Sequence, residues 1–64
     1  MERFNLSKQL KNGITVELYM DVYGLKYCIT AFTSDYRVIQ TRKTDDYFNA
    51  LHIMTIFENK YSKQ

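Results

Sequence analysis

The stretch "ITVELYMDVY", residues 14–23, alternates between two kinds of position. Ile14, Val16, Leu18, Met20 and Val22 fall on one parity, and Thr15, Glu17, Tyr19, Asp21 and Tyr23 on the other. A period of two is that of a strand with one face buried. Gly24 follows, and then "LKYCITAFT". A tight turn at Tyr23-Gly24 or at Gly24-Leu25 folds the second run back on the first. Either register sets Leu25, Tyr27, Ile29 and Ala31 on the face of Val22, Met20, Leu18 and Val16, so two separate patterns agree on one pairing.

Upstream, "LKNGI" fits a three-residue hairpin loop, Lys11-Asn12-Gly13, in which Gly13 takes the positive φ that follows a type I turn. Such a loop places Leu10 opposite Ile14, Leu6 opposite Leu18 and Phe4 opposite Met20. Lys8 breaks the run, as a lysine guarding an edge strand would. The competing arrangement is a short helix from Glu2 to Lys11 ending at Gly13, because Leu6 and Leu10 lie four apart. The strand is the preferred reading.

Downstream, "YRVIQTRK", residues 36–43, is β-branched enough for a fourth strand after a turn at Ser34-Asp35. Its facing is open, since Val38 and Ile39 have opposite parity. The period then changes to that of a helix. Thr44 is the expected N-cap, with Asp45 and Asp46 in the first turn and Lys60 and Lys63 in the last, all suiting the helix dipole. Tyr47, Ala50, Leu51, Met54, Phe57 and Tyr61 make the core stripe. The expected architecture is α+β: an antiparallel β-meander of three to four strands, then one C-terminal α-helix packed on one face, as a single domain over residues 1–64.

That arrangement leaves two sets of hydrophobic residues without a place. Phe48, His52 and Ile56 follow one another along a line roughly 140–180° from the centre of the core stripe. They are either scattered surface residues or the seam of an interface. The second set lies on the back of the sheet, where Tyr19, Tyr23 and Phe32 share a face with Lys26, Cys28 and Thr30. Aromatic residues of this kind serve as cross-strand pairs, as protein-binding anchors, or as stacking platforms for unpaired bases. In the last case Lys26, Arg37 and Arg42 would meet phosphates, against the opposing charge of Glu17 and Asp21.

Composition narrows the classes further. Hydrophobic residues make up 45% and aromatics 16%, which a disordered chain would lack. A domain this small buries only about 60% of its unfolded surface, so its stability is marginal unless a partner adds to it. Nine basic residues against seven acidic give a net charge of +2, too little to argue for nucleic acid on electrostatics alone. Cys28 is the only cysteine and forms no internal disulfide, which fits a reducing compartment. No signal or membrane-spanning run is present, so a cytoplasmic location is expected. Abundant Phe, Tyr, Met, Ile, Asn and Lys with no Pro correspond to AT-rich codons. Small AT-biased chains are common in phages and mobile elements.

Chemistry is hard to assemble from these residues. Cys28 and the single histidine, His52, make a nucleophile–base pair only on paper, and a lone strand cysteine beside apolar residues is usually inert packing. One Cys and one His do not bind a metal, and Gly13 and Gly24 are too far apart for a phosphate loop. The expectation is therefore a protein with no catalytic residue, metal or cofactor. It would bind and inhibit or modulate another macromolecule, a host or defence protein, or pair with itself as a homodimer. The partner-binding candidates are Tyr19, Tyr23, Phe32, Phe48, His52 and Ile56. Binding of single-stranded nucleic acid through Lys26, Arg37 and Arg42 is the alternative, and no membrane contact is expected. The order of strands followed by a helix opening on "KTDDYFNAL" resembles small antitoxin-like domains at Thr44, Asp45, Ala50 and Leu51. Those positions suit any capped amphipathic helix, and no function follows from them.

Overall fold

A computed structural model describes residues 5–21, 23 and 26–63, with the side chain of Asn5 left aside. Four strands, β1 (Asn5–Gln9), β2 (Thr15–Asp21), β3 (Lys26–Phe32) and β4 (Val38–Thr44), precede one helix, α1 (Tyr47–Tyr61). The strands form one antiparallel sheet in the order β1-β2-β3-β4. The meander has four strands, and the segment before Gly13 is a strand over its described part rather than a helix.

Register follows the alternation. Val16 lies opposite Ala31, Leu18 opposite Ile29 and Met20 opposite Tyr27, while Leu6 lies opposite Leu18. The turn between β2 and β3, through Val22, Gly24 and Leu25, lies outside the described residues, as does the pairing expected for Phe4. Val16, Leu18, Ile29 and Ala31 lose all solvent exposure against Ala50, Ile53, Met54, Phe57 and Tyr61 of the helix. The helix spans β2, β3 and β4 and leaves β1 outside its footprint. Lys8, opposite Val16 on the helix side, extends across that gap to Glu58 at 3.2 Å. The residue that breaks the apolar pattern of β1 thus tethers the edge strand to the helix.

Two elements depart from expectation. First, the helix begins two residues late. Thr44 closes β4 opposite Tyr27, and Asp46 caps the helix by accepting a 3.3 Å hydrogen bond from the Asn49 amide. Thr44 still helps, since its hydroxyl accepts from the Asp46 amide at 3.3 Å and from Asn49 Nδ2 at 3.1 Å. Asp45 and Asp46 therefore precede the first turn, and Lys63 lies beyond the last. Second, β4 carries a bulge. Phe32 pairs with Val38 and Ala31 with Gln40, so Ile39 is an inserted residue and parity changes there. Gln40 consequently faces the helix, where its Oε1 accepts from the Tyr61 hydroxyl at 2.6 Å and from Lys60 Nζ at 3.4 Å.

Two loops at one end of the sheet share a construction. Leu10 and Ile14 close the first, with Gly13 N–H donating to Leu10 C=O at 3.1 Å and Gly13 at φ +88°. Thr33 and Arg37 close the second, with Tyr36 N–H donating to Thr33 C=O at 2.9 Å and Tyr36 at φ +66°. Both are three-residue hairpin loops whose third residue is left-handed. One places glycine there, and the other a tyrosine.

Candidate functional site

Among the described residues, no second layer lies over the face of the sheet turned away from the helix. Cross-strand register orders its residues in rows. Thr15, Phe32 and Val38 share one row, Glu17, Thr30 and Thr41 the next, Tyr19, Cys28 and Lys43 a third, and Asp21 and Lys26 the last. Tyr19, Tyr23 and Phe32 do not meet. Phe32 lies opposite Thr15 and Tyr23 lies past Asp21, so roughly 20 Å of strand separates them, with Tyr19 between.

Each of the three has its own surroundings. Tyr23 is 93% exposed, and its amide donates to Asp21 Oδ1 at 3.0 Å. Tyr19 is half-buried directly opposite Cys28, which is itself buried although it lies on the uncovered face. Burial raises the Tyr19 phenol above its ordinary value. Cys28 raises it further by charge repulsion and hydrogen bonding, a hydrogen bond with Thr30 opposes the rise, and Glu17 adds a like-charge push. Phe32 is half-buried and stacks on Tyr36, with ring centroids 6.0 Å apart and 22° between planes.

Tyr36 was not among the residues singled out from the sequence. Tyr36 is 82% exposed and Val38, beside it across from Phe32, is 63% exposed. The loop holding it is well tied. The Thr33 hydroxyl donates to the Asp35 carboxylate and accepts from the Arg37 amide at 3.1 Å, and Arg37 Nε lies 3.3 Å from Asp35 Oδ2. Phe32, Tyr36 and Val38 therefore form a continuous aromatic and aliphatic corner where the uncovered face meets the outer edge of β4. The sequence signal for it was weak, because "SDY" announces a turn without announcing that its third residue is left-handed.

Comparison with protein-family models, curated proteins and solved structures finds no match to this chain. Phe48, His52 and Ile56 lie on the outer side of the helix as the wheel predicts, all exposed, Phe48 at 77%. The Phe48 ring contacts Tyr47 at 5.8 Å and Tyr47 contacts Tyr27 at 5.5 Å, so that end of the helix carries an aromatic chain running outward from the sheet. Ile53, absent from the expected stripe, is buried in the core.

The three candidate phosphate ligands do not converge. Lys26 lies opposite Asp21 at the Tyr23 end, Arg37 pairs with Asp35 at the Tyr36 end, and Arg42 lies opposite Ile29 on the helix side. Lys43, which was not singled out, is the β4 cation on the uncovered face, opposite Cys28. Among the described residues no group of three or more His, Cys, Asp or Glu is placed to hold a metal ion, and no buried side-chain polar atom lacks a partner. No described helix is long and apolar enough to cross a membrane.

Proposed function

We propose that this chain is a small non-catalytic protein-binding module whose contact surface centres on Phe32, Tyr36 and Val38. The observation that carries the reading is the conformation of Tyr36. A left-handed backbone costs an ordinary residue about 1–2 kcal/mol, and the matching loop avoids that cost with Gly13. A bulky residue held there with its ring outside the core gains little for the fold. Backbone strain of this kind clusters at functional sites, ligand clamps among them. Tyrosine supplies contact area and a hydroxyl at low entropic cost, as protein-binding anchors do. The same reading covers inhibition or modulation of a host protein, and the AT-rich composition fits a phage or mobile-element source.

The test compares the immobilised full chain with its Tyr36→Gly variant, both checked for folding by circular dichroism. The reading expects a protein partner that the wild type retains and the variant loses, with retention insensitive to nuclease. Equal retention by both proteins refutes it, as does loss of the partner on nuclease treatment. A partner lost with Phe48→Asp or Ile56→Asp, but kept by Tyr36→Gly, moves the surface to the helix.

A further inference from the structure

The sheet has two edges, and they are treated differently. On β1, Lys8 faces the helix side and is held by Glu58, a charge that an incoming strand would have to pass. On β4 the corresponding helix-side charge is Arg42, which no ion pair holds among the described residues. Strand order leaves β4 at the margin, so alternate backbone N–H and C=O groups point outward with no strand to pair with among the described residues. The bulge occupies only Ile39, and Gln40–Thr44 continues as a regular run.

Charge along that edge has one sign. Val38–Thr44 contains Arg42 and Lys43 and no acidic residue, and neither cation has an ion-pair partner among the described residues. They also lie on opposite faces, Arg42 with Ile29 on the helix side and Lys43 with Cys28 on the uncovered side. Two β4 edges brought together would gather two cations from each copy and no anion, which opposes self-pairing. The apolar part of the edge, Val38 and Ile39, sits at its Phe32–Tyr36 end.

We propose that the outer edge of β4 receives an extended, acidic segment of a partner protein as a fifth strand, an inference that rests on the protein-binding reading above. Main-chain hydrogen bonds to β4 hold the segment, and its side chains set the register. Because Arg42 and Lys43 face opposite ways, the segment carries two consecutive acidic residues, one for each face. In antiparallel register these are followed, after two intervening positions, by apolar residues opposite Ile39 and Val38, the last of which lands beside Tyr36.

The probe is a capped hexapeptide, Glu-Glu-Thr-Thr-Val-Val, titrated into the isotope-labelled full chain and followed by amide chemical shifts. Its counterpart has lysine in place of both glutamates. Expected are shifts confined to Val38–Thr44 and the Phe32–Tyr36 corner, a dissociation constant on the order of a millimolar, and binding roughly tenfold weaker for the lysine peptide. The paired variant R42Q/K43Q should abolish the preference between peptides and leave the spectrum folded. Equal binding of both peptides overturns the proposal, as do shifts located elsewhere or no shifts at all. A dimeric mass for the free chain, removed by Thr41→Pro, also overturns it, since the occupant would then be a second copy. None of these outcomes bears on the Tyr36→Gly comparison, so the edge assignment can fail while the protein-binding reading stands.

Discussion

At the scale of single residues, the two hairpin loops form a natural experiment. Replacing Gly13 with alanine imposes the left-handed cost on a residue whose added Cβ would meet only Ser34 Cβ at 3.8 Å, an ordinary contact. The penalty is therefore conformational, and Gly13→Ala should lower stability by about 1 kcal/mol. Tyr36→Gly should act in the other direction. Relief of about 1–2 kcal/mol in the backbone outweighs about 0.5 kcal/mol for an exposed ring stack, for a net gain of roughly 0.5–1.5 kcal/mol. Urea denaturation of both variants checks the opposite signs. A loss of stability in Tyr36→Gly would mean that the Phe32 stack is worth more than the strain. Tyr19 gives a second residue-scale prediction. Its phenol titrates higher folded than unfolded, so the contribution is fully present below about pH 10 and is lost as pH rises through the folded value. Stability measured from pH 8 to 11 should fall more steeply in the wild type than in Tyr19→Phe.

At the scale of elements, the parts legible in the sequence are those where one rule acts alone. The shared face of β2 and β3 could be read because both possible turns leave a single parity, whereas the choice between the two registers could not. The loop at Gly13 could be read because glycine is the residue its third position favours. Reading failed where two rules competed. Thr44 is the N-cap the sequence suggests, but β4 takes it into its pairing with Tyr27, which leaves the cap to Asp46. Asp46→Ala should accordingly destabilise the domain by about 1 kcal/mol, seen as a lower melting temperature. Thr44→Ala should cost part of that through its two hydrogen bonds to the cap. The facing of β4 was illegible because a bulge at Ile39 changes parity within the strand, and nothing in "RVIQ" announces a bulge. The candidate site was legible in part. Phe32 was found, but face-sharing by parity says nothing of distance, and Tyr19 and Tyr23 lie far along the sheet from it.

At the scale of the whole molecule, one layer of helix on one sheet carries nearly all the burial. A 64-residue domain has about 3–10 kcal/mol of stability in total. Phe57 is 1% exposed at the centre of the interface, so Phe57→Ala should cost about 3–5 kcal/mol and leave the domain unfolded or nearly so at 37 °C. Phe48→Asp, on the opposite side of the same helix, should change stability by less than about 0.5 kcal/mol. Thermal melts of the two variants separate core from surface without any knowledge of a partner. Because the described residues cover the sheet on one side only, association through the other face or the β4 edge would come at no expense to the core.

The Asn12 side chain carries a consequence for how the molecule assembles. Its Nδ2 donates to the Tyr61 carbonyl at 2.6 Å, and its Oδ1 accepts from the Ile14 amide at 3.2 Å, so one loop residue joins the first hairpin to the end of the helix, 49 positions away. The strands are neighbours in sequence and can zip together pair by pair, whereas this contact forms only when the helix has docked. It belongs to the late side of the folding barrier. Asn12→Ala should therefore speed unfolding several-fold in stopped-flow measurements and leave the refolding rate almost unchanged. In kinetic terms Asn12 acts as a latch, governing how long the closed molecule lasts and not how quickly it closes.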